Sequence, residues 1–258
     1  MDSLAKWMLK FRVVSIPAGI VANSSYAWSF VSRTDRIRAN RLRDRLREGD
    51  LPKHVSIIMD GNRRFAWNSQ LDRDVGHNQG KEKLKEVMEW ILDLEIPYFT
   101  VYALSTENIS ERSEEELESL YDLYVSGLTE ISEDPKIHAR KVRVQAVGRL
   151  ELLPERVREA IRVAEESTSE YSEFLFTVCL AYGGREEIVD AVRDVAAAHA
   201  DGEISLESID TEQISRRLYT SNLPDPDLVI RTSGEERISN LSLIHISEPT
   251  RLLSVADA

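Results

Sequence analysis

The chain has 258 residues, and 33 Lys and Arg against 45 Asp and Glu leave a formal charge of −12, which speaks against a general nucleic-acid-binding surface. Its length allows one large α/β domain with a sizeable core, and a single cysteine excludes an intrachain disulfide or a cysteine metal cluster. Any anionic ligand must therefore meet a local basic cluster.

Taken in chain order, Val13 to Val31 carries no charge, yet Pro17, Gly19 and Asn23 weaken a spanning helix, so the segment reads as one that touches a membrane surface peripherally. The rest of the chain is expected in the cytoplasm. Arg33 to Asp50 is a charged, helix-favouring run closed by Gly49-Asp50 and Leu51-Pro52, which makes residues 1–50 an extension and starts the folded body at Leu51. Strand-like runs then recur at "HVSIIM", "YFTVYAL", "KVRVQAV", "FLFTVCLAY" and "DLVIRT", each rich in β-branched and aromatic residues. Helical patterns separate most of them. One carries Leu84, Val87, Met88, Ile91 and Leu92 on a single face, and another opens with a capping box at Ser113 and Glu116 and continues through Leu117, Leu120, Tyr121 and Tyr124. A third runs from Pro154 to about Ser167 and a fourth from Glu186 to Ala200. This rhythm predicts one α/β domain with a mainly parallel central sheet flanked by helices.

In such sheets ligands bind beyond the carboxyl ends of the strands. The residues there are consistent: Asp60-Gly61-Asn62-Arg63-Arg64 after the first run, Ser105-Thr106-Glu107-Asn108 after the second, Tyr182-Gly183-Gly184-Arg185 after the fourth, and Arg231 to Asn240 at the fifth. Arg73 and His77 are expected in a loop before the first helix, beside Gly76 and Gly80. Arginines supply forked donors and glycines let backbone N–H groups approach, so the set suits phosphate groups. A lone carboxylate among so many cations suits a hard ion such as Mg²⁺, held by one carboxylate and the phosphates themselves. The plainer alternative has Asp60 capping a helix and the arginines solvated, but four motifs at four strand ends outweigh it. No Walker-type phosphate loop, nucleophile elbow or dinucleotide fingerprint is present, and the five histidines lack metal-ligand spacing.

"HVSIIMDGNRRFAW", Gly76-His77, "LSTENIS", "LAYGGREEIV" and "DLVIRTSGEERISN" together resemble, in order from Leu51 to Asn240, the cis-prenyltransferases of the undecaprenyl diphosphate synthase family. The resemblance implies Mg²⁺-dependent condensation of isopentenyl diphosphate onto an allylic prenyl diphosphate, giving a Z-polyprenyl diphosphate, by a homodimer. It implies that Asp60 is the Mg²⁺ carboxylate and a catalytic residue, and that Gly61, Asn62, Arg63, Arg64, Arg73 and His77 cradle the allylic diphosphate. It further implies that Arg231, Arg237 and Ser239 grip isopentenyl diphosphate, with Ser105, Glu107 and the catalytic Asn108 positioning it near the site of proton removal. The helical stripes at Leu84 and Leu117 become, by the same resemblance, the wall of a tunnel for the growing chain.

Three departures stand out. Arg63 replaces a glycine common in bacterial members, a variant of archaeal, eukaryotic or actinobacterial type, and Ile109 replaces an aromatic residue. After Asn240 the family continues into a Trp-containing helix, a last strand and a closing helix, whereas this chain reads "LSLIHISEPTRLLSVADA". Residues 241–258 therefore read as a non-family tail resembling a translated sequencing adapter, residues 51–240 as an incomplete catalytic domain, and the fifth strand is expected to have an open edge. An inactive chain, a non-catalytic partner subunit and a simple diphosphate-binding protein are the competing expectations.

Overall fold

In the computed structural model the described residues are 44–60 and 73–232, with the backbone alone described for residues 73–79 and 251–254. The chain divides into two compact units, Met1–Asp50 and Leu51–Ala258. In the first unit, residues 44–47 are helical.

The second unit is built on a parallel sheet. Its strands are β1 (His54–Ile58), β2 (Tyr98–Tyr102), β3 (Val142–Val147), β4 (Phe174–Cys179), β5 (Leu228–Arg231) and β6 (Arg251–Ser254), in the order β3-β4-β2-β1-β5-β6. Between them run α1 (Arg73–Asp93), α2 (Thr106–Glu111), α3 (Glu114–Glu133), α4 (Pro135–Ala139), α5 (Glu155–Thr168), α6 (Gly184–Ala200) and α7 (Thr211–Ser215). Strand side chains alternate between two faces, and both faces are buried, which is why the strands read as near-continuous apolar runs. Val55, Ile57, Phe99, Val101, Val144 and Phe176 join α1, α3 and α5 in one cluster, while Ile58, Tyr102, Cys179 and Val229 join Tyr182 in another. Within the first, Phe99 stacks on Phe176 at 5.5 Å, worth about 0.5–1.5 kcal/mol beyond its buried area.

The predicted helical stripes pack as predicted: Met88, Ile91 and Leu92 of α1 and Leu120, Tyr121 and Leu128 of α3 are buried, and the Ser113 hydroxyl accepts the Glu116 N–H at 3.3 Å. Beneath α1 a narrow apolar cleft, lined among others by Met88, Ile91, Phe99 and Phe176, opens against the sheet.

Two expectations are corrected. Arg73 and His77 do not precede α1 but lie in its first turns, because the helix runs on through Gly76 and Gly80. The sheet does not stop at β5 either: the backbone of Arg251–Ser254 pairs in parallel with Leu228–Arg231, so the expected open edge is covered by a sixth strand. An edge of unpaired N–H and C=O groups is satisfied by any extended segment that reaches it, and "RLLS" contains the apolar pair that such a position takes.

Candidate functional site

The sheet register brings distant motifs to one level. Ile58 pairs with Tyr102 on one side and Arg231 on the other, and Tyr102 pairs with Cys179, so the ends of β1, β2, β4 and β5 lie side by side. The chain leaves β1 toward β2 but leaves β5 toward β6, which makes the β1–β5 crevice the point where strand order reverses, the usual ligand position in such sheets.

Asp60 and Arg231 meet in that crevice although 171 positions separate them. Arg231 donates from Nε at 3.1 Å, and also from Nη2, to Oδ2 of Asp60. Its side chain is 7% exposed and that of Asp60 38%, so a buried guanidinium lies behind a carboxylate that solvent and ligands reach. The peptide of Asp60 is fixed by its neighbours: its N–H is shared between the Ile58 carbonyl at 3.0 Å and the Thr232 hydroxyl at 3.1 Å, and that hydroxyl lies within donating range of the Asp60 carbonyl.

The second predicted group opens α2. The buried Ser105 is its N-cap, accepting the Asn108 N–H at 3.0 Å, so the serine hydroxyl orients the asparagine backbone. Glu107 is exposed, Asn108 is half-buried, and Ile109 packs against the core in place of the aromatic residue expected there. Arg73 and His77 lie on α1 by backbone position. Gly61, Asn62, Arg63, Arg64, Arg237 and Ser239 lie outside the described residues.

Beside this turn stands Tyr182, which the sequence placed at the end of the fourth run, together with Glu187 and Thr220, to which it gave no role. Tyr182, just past β4, donates its N–H to the Leu104 carbonyl at 3.1 Å and accepts the Thr106 N–H at 3.1 Å, so it clasps both sides of Ser105. Gly183 follows because a Cβ there would stand 2.9 Å from the Thr106 hydroxyl and 2.0 Å from a Glu186 carboxylate oxygen. The Tyr182 hydroxyl donates to the carboxylate of Glu187, which also accepts the Thr220 N–H at 3.2 Å and hydroxyl at 3.3 Å. Burial, with the neighbouring Tyr102 and Glu187, pushes the Tyr182 phenol far above its ordinary range, so it stays a donor. Burial also raises the Cys179 thiol, which leaves it a packing residue without thiolate chemistry. The signal for Glu187 was legible: it shares the i, i+4, i+8 stripe of Ala191 and Val195 that faces the core.

His54, at the other end of β1, is unlike these. Its Nδ1 lies 2.6 Å from the Pro224 carbonyl and so carries the proton, while Nε2 lies 2.8 Å from the Thr100 hydroxyl. It is a buried structural histidine.

Among the described residues no three His, Cys, Asp or Glu side chains converge on a metal site, and no helix is long and apolar enough to cross a membrane. Asp60 nevertheless offers what a hard cation takes when phosphates complete its shell: one accessible carboxylate, here beside the Arg231 guanidinium.

Comparison with known proteins points to one family. The family model described as "Putative undecaprenyl diphosphate synthase" matches residues 58–256, reaching past Asn240 into the segment read as a tail. A "Tritrans,polycis-undecaprenyl-diphosphate synthase (geranylgeranyl-diphosphate specific)" of Methanopyrus kandleri is 50% identical over 202 residues, 78% of this chain and 74% of that protein. The protein of the same name from Methanocaldococcus jannaschii is 50% identical over 201 residues, 77% of this chain and 71% of the relative. The crystal structure of lavandulyl diphosphate synthase from Lavandula x intermedia, in complex with dimethylallyl diphosphate, superposes with a TM-score of 0.73 at 32% identity over 79% of this chain and 86% of that one.

Proposed function

The chain belongs to the undecaprenyl diphosphate synthase family of cis-prenyltransferases, and from that premise we propose that the β1–β5 crevice is where its two diphosphate substrates react. The single observation that carries this reading is the Asp60–Arg231 pair, a buried guanidinium fork and an accessible carboxylate at the switch point of the sheet.

In the proposed reaction C4 of isopentenyl diphosphate forms a bond to C1 of the allylic substrate, the C1–O bond breaks to release diphosphate, and a proton leaves C2 of the isopentenyl unit. The planar Arg231 fork fits diphosphate oxygens as it fits the Asp60 carboxylate, so bound substrate takes over donors that the carboxylate now accepts. Arg231 grips isopentenyl diphosphate together with Arg237 and Ser239, while Gly61, Asn62, Arg63, Arg64, Arg73 and His77 cradle the allylic diphosphate. Arg73 opens a helix of 21 residues, whose amino end adds a positive field. Ser105 holds the turn that presents Glu107 and Asn108, and Asn108 positions the isopentenyl unit for loss of its proton. Asp60 would hold Mg²⁺, which when bound neutralises charge building on the diphosphate leaving group. The apolar stripes that begin at Leu84 on α1 and Leu117 on α3, packed against the sheet, would line the path of the growing chain. Geranylgeranyl diphosphate is the proposed starter, as in the names of the two archaeal relatives. A homodimer and release of the apolar product at a membrane surface complete the reading.

Incubation of the full chain with Mg²⁺, isopentenyl diphosphate and geranylgeranyl diphosphate is expected to yield Z-polyprenyl diphosphates, resolved by chromatography against E and Z standards. Tight diphosphate binding without any elongated product would instead favour the non-catalytic partner or the simple binding protein. Product from farnesyl but not geranylgeranyl diphosphate would overturn the choice of starter alone.

A further inference from the structure

Glu187 is wholly buried on α6, on the stripe that otherwise carries Ala191 and Val195 into the core. A carboxylate there is costly unless it is hydrogen-bonded, and three donors meet it: the Tyr182 hydroxyl on Oε2, and the Thr220 N–H and hydroxyl on Oε1. The hydroxyl of Tyr182 has no route to solvent, since the whole residue is buried between the rings of Tyr102 and Tyr219. Through its main chain the same tyrosine bonds the residues on either side of Ser105, and Ser105 caps Asn108. Tyr182 thus links the Glu187 carboxylate, through its hydroxyl, to the backbone of the β2–α2 turn, through its main chain.

We propose that Glu187, acting through Tyr182, is a positioning residue that fixes the β2–α2 turn for substrate, which rests on the reading of Ser105 and Asn108 as part of the site. Buried polar groups that are fully bonded rigidify what they touch, and a turn that is loosened by a fraction of an ångström loses pre-organised binding before it loses chemistry. Glu187 touches neither substrate, so its effect falls on KM more than on kcat.

The test is steady-state kinetics on four full-length variants, at a temperature below every melting point. Tyr182→Phe keeps the ring and removes the donor, and Glu187→Gln keeps the shape and removes the charge. Asn108→Ala tests the turn directly. Thr168→Val serves as a stability control, because its hydroxyl is equally buried and accepts the Val144 N–H at 3.0 Å on β3, the far edge strand. Tyr182→Phe and Glu187→Gln are expected to raise KM for isopentenyl diphosphate about tenfold with kcat changed less than about threefold, whereas Thr168→Val lowers the melting point and leaves KM alone. If Asn108→Ala impairs the enzyme while Tyr182→Phe and Glu187→Gln bind like the parent, the positioning role is wrong and the site reading stands. If Asn108→Ala changes neither constant, the turn is not part of the site and the role falls with it. Should Glu187→Gln fail to fold, Tyr182→Phe decides alone.

Discussion

Two arginine–aspartate pairs stand at the carboxyl end of the sheet, Arg149 with Asp190 beyond β3 and Arg231 with Asp60 between β5 and β1, and their hydrogen bonds are distributed differently. Arg149 spreads its fork over both oxygens of Asp190, at 2.9 and 2.8 Å, and Asp190 also accepts from Arg193 at 2.9 Å and from the Tyr219 hydroxyl. The backbone is shaped for this pair: Gly148 has φ +127°, and a Cβ there would lie 2.1 Å from the Leu180 carbonyl oxygen. Asp190 therefore ties the end of β3, helix α6 and the segment before β5 into one corner. In the crevice, Nε and Nη2 of Arg231 both turn to a single oxygen of Asp60, and the arginine is the buried partner while the carboxylate faces outward. The same two residue types thus make a closed brace in one place and, in the other, a buried guanidinium behind an accessible carboxylate, and sequence spacing does not distinguish them.

The widest separation between the two regions is expected in turnover. Arg231→Met should lower kcat/KM by about a hundredfold or more, since it removes the forked donor proposed for the diphosphate. Arg149→Met should leave kcat/KM within about threefold but lower stability by about 1–3 kcal/mol, because Asp190 loses its bidentate partner. Kinetics and urea midpoints on both variants check this. Equal losses of activity would mean that the Arg149 corner belongs to the site.

Acid titration sharpens the contrast further. Hydrogen bonding from Arg149, opposed by partial burial, lowers Asp190 from its ordinary 3.8 to about 2. A depressed carboxyl contributes stability that is present in full above about pH 4 and fades as the pH falls through about 2. Because Asp190 keeps some solvent access, the contribution is about 1–2 kcal/mol. Denaturant midpoints measured from pH 5 to pH 2 should fall less steeply in Asp190→Asn than in the parent, and parallel curves would remove the brace from the account of acid stability.

The five apolar runs became strands, and the capping box at Ser113 became a helix start, because both signals are local: one depends on alternate faces, the other on three residues. The start of α1 was misread because glycines punctuate a sequence, yet Gly76 and Gly80 are carried inside a helix whose apolar face is packed from Leu84 onward. Strand β6 was not legible, since four residues at an edge take their conformation from the partner strand. For the site, the strand-end positions of Asp60 and Arg231 were readable from the apolar runs before them, but their direct contact was not, because it depends on β5 returning beside β1 across 171 residues. The contact of Thr232 is set by the same long-range pairing, and that of Tyr182 by the pairing of β2 with β4.

Thr232 gives the smallest and most local test of the crevice. Its hydroxyl is one of two acceptors for the Asp60 N–H, the other being the Ile58 carbonyl. Thr232→Val keeps the β-branched shape at the end of β5 and deletes both that acceptor and the donor to the Asp60 carbonyl, so the Asp60 N–H keeps only its bond to Ile58. One hydrogen bond is worth about 0.5–1.5 kcal/mol net, which translates into a fall in kcat/KM of about twofold to tenfold if the Asp60 peptide must be held for its carboxylate to be aimed. Thr232→Ser should recover the parent value, since it restores the hydroxyl and loses a methyl group. A valine variant with parental kinetics would show that the Ile58 carbonyl alone aims Asp60, and the open side of the comparison would then rest on Arg231.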